Sequence, residues 1–126
     1  MLKSNIFNIE GTEFPAGRRT RVMIGDNGAI AGEHFCQGYV VVYPGGSIPE
    51  HEHVTVESYT ILKGSGEITV DGETQPVSEG DFVFIPSGKS HALVNTGDSD
   101  IHMMFVYAPK MIADHWAQEL NQSGIK

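Results

Sequence analysis

The stretch Gly45–Gly64, GGSIPEHEHVTVESYTILKG, decides the reading of this chain. It sets His51, Glu52 and His53 beside each other, follows with Glu57, and closes on a glycine. A second stretch, Gly80–Asn95 (GDFVFIPSGKSHALVN), adds His91. Strand side chains alternate, so His51 and His53 point together if they lie in extended chain, and Glu57 has the same parity. His91 opens a later strand and can approach from a neighbouring part of a closed barrel.

Imidazole nitrogens and a carboxylate are donors that Fe, Mn, Zn, Ni, Cu and Co all accept, so the expected cofactor is one divalent transition metal ion of open identity. Four protein ligands in an octahedral arrangement leave positions for substrate, water or dioxygen. Three neutral imidazoles and one carboxylate around such an ion leave a net charge of about +1, which favours an anionic ligand. The bland alternative is polar histidines at a turn–strand junction. The H-x-H spacing, the matching glutamate and the further strand histidine favour metal.

Outside these stretches the sequence sets bounds. A chain of 126 residues is expected to be one domain, 1–126. With 16 acidic and 8 basic side chains the net charge is −8, which argues against nucleic acid or an anionic membrane as partner. Arg18, Arg19 and Arg21 form a local basic cluster that reads as an exposed strand edge. The single cysteine, Cys36, excludes an internal disulfide, fits a reducing compartment and reads as a small buried hydrophobe. No apolar run resembles a signal peptide or a membrane span, so a cytoplasmic location is expected.

Short β-rich runs closed by Gly, Pro, Asn or Asp recur along the chain. Strands are expected at 19–24, 30–36, 38–43, 56–62, 67–70, 74–77, 81–85, 91–94 and 101–107, after an irregular 1–17 whose Phe14–Pro15 packs on the body. Asp71–Gly72 is the cleanest hairpin signal, because Asp-Gly supplies the positive φ of a tight turn. Strands at this spacing indicate a sandwich or barrel. Met111, Ile112, His115, Trp116 and Leu120 recur at helical steps, so a packing helix is expected at about 110–121.

Two patterns carry a resemblance. Gly45-x5-His51-x-His53-x3-Glu57-x6-Gly64 is similar to the first cupin motif, and Gly80-x5-Pro86-x-Gly88-x2-His91-x3-Asn95 to the second. The chain thus resembles a small single-domain cupin. The resemblance implies an all-β, double-stranded β-helix (jelly-roll) barrel, here about 19–108, with His51, His53, Glu57 and His91 binding the metal. It also implies a homodimer, as do the sheet edges an open jelly roll must cover. Asn95 is read as tying a turn through its amide, and Glu50 and Glu52 as lying outside the site.

Among further pocket candidates, Tyr59 shares the parity of Glu57 and is the candidate catalytic hydroxyl. Phe84, Met103, Phe105 and Arg21 are candidate substrate-binding residues. Core packing is the alternative for the aromatics, and solvation for the arginine. The expected function is a metal-dependent enzyme acting on a small anionic metabolite. Similar small cupins include dioxygenases, decarboxylases, isomerases and lyases, so the fold does not choose the chemistry. The alternative is a non-catalytic cupin that binds a sugar or effector. A structural or storage role would leave four buried polar ligands without a purpose.

Overall fold

The computed structural model describes residues 1–109 and Glu119, so the helix expected at about 110–121 lies, Glu119 apart, outside the described residues. The β-branched and aromatic runs form strands β1 (Thr12–Phe14), β2 (Arg18–Ile24), β3 (Cys36–Val42), β4 (Ser47–His51) and β5 (Val56–Lys63). They continue with β6 (Ser65–Val70), β7 (Glu73–Ser78), β8 (Phe82–Ile85), β9 (His91–Val94) and β10 (Ile101–Ala108). A six-stranded sheet runs β1-β2-β3-β10-β5-β8 and a four-stranded sheet runs β4-β9-β6-β7, with antiparallel pairing throughout both. This is the all-β jelly roll that the sequence leads one to expect.

The core lies between the sheets. In β3 and β10 every second residue is buried, and Val40 and Val42 stand opposite Met103 and Ile101. Ile68 and Leu93, cross-strand partners in the other sheet, complete the layer with Ile61 and Ile85. Alternation puts one face of each strand inside, and burial of these aliphatic faces stabilises the sandwich. The Asp71–Gly72 turn joins β6 and β7 with both residues at positive φ, 51° and 83°, as its sequence requires.

Three expectations need correction. The strand expected at 30–36 is a loop as far as Phe35, with Cys36 opening β3; a parallel bridge between Ile24 and Ile30 ties it to β2. Gly28, Gly32, Glu33 and His34 offer it little apolar surface to bury. β4 falls in a segment that was expected to be extended but was not assigned as a strand. The irregular N-terminal region contains β1, whose Phe14 is buried. Asn95 behaves as read: its amide donates to the carbonyls of Val42 and Ser99 and its oxygen accepts from Gly97 N–H. No helix among the described residues is long and apolar enough to cross a membrane.

Candidate metal centre

His51 ends β4 and His91 opens β9, and the two are direct cross-strand partners with ring centroids 4.2 Å apart. Simple alternation from buried Ile48 would turn His51 away from the interior. The register prevents this: Ile48 pairs with Leu93 and His51 with His91, so β4 advances three residues where β9 advances two. The extra residue is a bulge at Pro49–Glu50, and it rotates His51 inward. His53 follows beyond the strand end. The chain then crosses to the six-stranded sheet, where Glu57 is buried on β5. The four residues therefore converge from both sheets, and one ligand atom from each lies within 4.8 Å of all the others.

The donor set fits a cation. A carbonyl can only accept, so His51 Nδ1–H donates to Pro49 O at 2.8 Å and His91 Nδ1–H donates to Lys89 O at 2.9 Å. His53 Nδ1 lies 3.3 Å from Thr55 O and also contacts the Thr55 hydroxyl. In neutral His91 this leaves a lone pair on Nε2, which stands 3.0 Å from Glu57 Oε1; His53 Nε2 is 3.1 Å from the same oxygen. A lone pair facing a carboxylate oxygen is repulsive unless a proton or a metal ion lies between them. Donors about 2.1 Å from a common ion and at right angles around it would stand about 3.0 Å apart, so these spacings suit a shared ion.

The electrostatics keep the ligating forms. Burial, and then the neighbouring His91, lower the pKa of His51 from the usual 6.5 to about 4, so its ring is neutral. Burial acts to raise the Glu57 carboxyl, but His53 and His91, which hydrogen-bond to it when their facing nitrogens carry a proton, outweigh burial and hold the group below its usual range. Neutral imidazole and ionised carboxylate are the forms a metal takes.

Beside the cluster is a cavity of about 20 Å³, lined by Arg18, Thr20, His51, Glu57, Tyr59 and Phe105 among others. Tyr59 is buried with its ring 5.9 Å from that of His91. Burial and the Glu57 charge raise its hydroxyl pKa well above the ordinary value, so it keeps its proton. Phe105 lies over Gly38, where an added Cβ would come within 2.4 Å of its ring, and stacks on Tyr107. Only a glycine leaves room for the ring there. Met103 is fully buried in the core.

Two candidate substrate-binding residues lie elsewhere. Phe84 is 65 % exposed, because Val83 and Ile85 take the inward positions of β8; with Phe82 it lines a separate groove of about 710 Å³ beside β6 and β7. None of the four candidate ligands borders that groove. Arg21 lies on the outer face of β2, where its Nε–H donates to Ile9 O at 2.9 Å. The inward face of β2 carries Arg18 and Thr20 instead. Arg18, expected on an exposed edge, is 2 % exposed. Parity in the sequence separates Arg18 and Thr20 from Arg19 and Arg21, but does not say which pair faces inward.

The comparisons agree with this geometry. The sequence pattern of the family described as "Cupin domain" matches residues 38–107. A "5-nitrosalicylic acid 1,2-dioxygenase" from Bradyrhizobium sp is 33% identical over 79 residues, 63% of this chain and 38% of that protein. An "Oxalate-binding protein" from Thermotoga maritima is 39% identical over 64 residues, 50% of this chain and 53% of that protein. These matches thus span about half or less of the relatives' own length. The crystal structure of "a predicted oxalate decarboxylase" from Thermotoga maritima superposes with a TM-score of 0.77 at 23% identity, covering 86% of this chain and 99% of the other, and shares the fold. With both motifs inside the matched segment and the jelly roll around them, the chain belongs to the cupin domain family.

Proposed function

We propose that this chain is a metal-dependent enzyme acting on a small anionic metabolite. The observation that carries the reading is the convergence of His53 Nε2 and His91 Nε2 on Glu57 Oε1, with His51 completing the group, in an arrangement that calls for a cation. His51, His53, Glu57 and His91 would hold the ion, which when bound supplies Lewis-acid polarisation of a ligand oxygen or, for a redox metal, dioxygen chemistry. The carbonyls of Pro49 and Lys89 fix the tautomers of His51 and His91. Tyr59 holds its proton and is a hydrogen-bond donor for a ligand oxygen in the cavity. Phe105, Val40 and Ile48 exclude water from the same space.

Support for an anionic substrate comes from the charge of about +1 that the ion and its ligands would carry. It also comes from two relatives whose names refer to a nitrosalicylic acid and to oxalate. Metal analysis of the purified protein, followed by a screen of small organic acids under air and under nitrogen, tests the reading. His51→Ala and His91→Ala should lose both metal and turnover, and full activity in a metal-free preparation would end it. Iron, copper or nickel would favour oxygen chemistry; zinc or manganese would favour decarboxylation, isomerisation or elimination.

The relative named for oxalate binding favours a second reading, a cupin that holds its ligand without converting it. Tight binding with no product under any of these metals would support it. We also propose a homodimer, which light scattering at micromolar concentration tests.

A further inference from the structure

Arg18 is a buried cation in the cavity that the metal reading leaves without a role. Its guanidinium stacks over the Phe14 ring at 4.2 Å and donates to Ser47 O at 3.2 Å. It forks onto Glu119, with Nη1–Oε2 and Nη2–Oε1 both 2.7 Å. Glu119 lies 101 residues further along the chain, and its side chain is 16% exposed. A buried guanidinium needs an anion beside it, and its planar fork matches a carboxylate.

Arg18 borders the same cavity as His51 and Glu57. At about 20 Å³ that cavity is small for an organic ligand, and a carboxylate that reaches Arg18 there competes with Glu119, which holds the guanidinium without lining the cavity itself. The other named lining groups belong to the strands of the two sheets. Glu119 is the neighbour whose chemistry a ligand carboxylate would reproduce. Exchanging one carboxylate for another leaves Arg18 paired throughout, whereas a neutral ligand would strand the cation.

We propose that Arg18 is a carboxylate-binding subsite of the candidate metal cavity and that Glu119 is its built-in occupant, displaced by the ligand's own carboxylate. The ligand's second anchor rests on the metal-dependent reading above. A divalent ion, ionised Glu57 and Arg18 without Glu119 sum to a charge of about +2. The fitting ligand class is therefore a small dianion, a dicarboxylate or a carboxylate joined to an enolate, with one anionic group on Arg18 and the other at the candidate metal ligands.

The test uses the full chain, manganese-loaded and metal-free, with malonate, acetate and malonamide as probes. Affinity is read by calorimetry, and contact with Arg18 by its guanidinium ¹⁵N signals. Malonate should bind the loaded protein more tightly than acetate, malonamide should not bind, and malonate should shift the Arg18 signals. Removing the competing charge with Glu119→Gln should tighten malonate binding about tenfold or more, since the apparent affinity no longer carries the fraction of molecules in which Glu119 holds Arg18. Arg18→Lys, which keeps the charge but loses the fork, should weaken binding about tenfold. Should Glu119→Gln fail to fold, Glu119→Asp keeps the charge on a shorter arm and should still tighten binding.

A folded Glu119 variant that binds malonate within about twofold of wild type, or more weakly, overturns the proposal. So do Arg18 signals unmoved at saturating malonate. Metal content measured on the same samples separates the two readings. Stoichiometric metal without an Arg18 or Glu119 effect defeats the subsite alone. An Arg18 response in a protein that takes up no metal defeats the metal reading and leaves the carboxylate subsite standing.

Discussion

Two charged groups that reach the same cavity solve the same electrostatic problem in opposite ways. In the first, His51, His53, Glu57 and His91 each bring a ligand atom within 4.8 Å of the others and could hold a cation from outside the chain. In the second, Arg18 brings a cation and Glu119 brings its counter-charge, so the two charges of the pair cancel. The first group comes from two short segments; the second joins residues 101 positions apart. The difference teaches that one fold can gather donors from neighbouring segments in one place and pair opposite charges from distant segments in another.

The comparison breaks most sharply at the histidine group. His91→Ala removes a fully buried donor shared with Glu57, and metal affinity should fall more than about a hundredfold, beyond what losing a supporting contact costs. Mass-spectrometric metal content checks this, and undiminished metal in the variant would move the site elsewhere. Arg18→Met should instead leave metal content unchanged while costing about 3 kcal/mol in urea unfolding, because the largely buried Arg18–Glu119 ion pair is broken. Adding Glu119→Gln to that variant should recover much of the loss, since the remaining charge is then gone. If the double variant is as unstable as the single one, the two charges do not cancel in the way described.

Acid should separate the two groups more gently. In metal-free protein the folded His51 refuses a proton until about pH 4, whereas the unfolded chain accepts one near 6.5. The unfolded state therefore binds more protons between these values, and stability should fall as pH drops from about 6.5 to about 4, by about 3 kcal/mol. Glu57 acts in the same direction at lower pH, because its depressed pKa contributes stability above the usual 4.5 that is lost on protonation. Thermal melts across this range, with and without manganese, check the sign, and metal should flatten the upper part of the slope. The smallest effect is expected outside the cavity. Phe84→Ser should leave metal and malonate binding unchanged and shift stability by less than about 0.5 kcal/mol, because the ring is largely solvated. A clear loss of ligand binding would return the outer groove to consideration.

Much of the candidate site was legible because its signals are local. The spacing of His51, His53 and Glu57, and of the glycines with His91, can be read within two segments. Even there the geometry differs from the simplest reading. Parity grouped Glu57 with the histidines, yet Glu57 stands on the opposite sheet and His51 faces inward through a bulge. Phe84 and Arg21 fell outside the cavity because alternation defines two faces of a strand without choosing the inner one. The segment 30–36 reads as strand but forms a loop as far as Phe35, because its apolar residues do not show whether another strand lies alongside.

The sequence alone determined the all-β architecture, the turns and the identity of the four donors, because strand patterning, glycine φ and ligand chemistry act over a few residues. Only the tertiary structure decided which face of β2 and β8 is buried, that a bulge turns His51 inward, and that Arg18 meets Glu119. Those outcomes depend on the packing of one sheet against the other and on residues far apart in the chain. No local pattern encodes which distant carboxylate will neutralise a buried guanidinium.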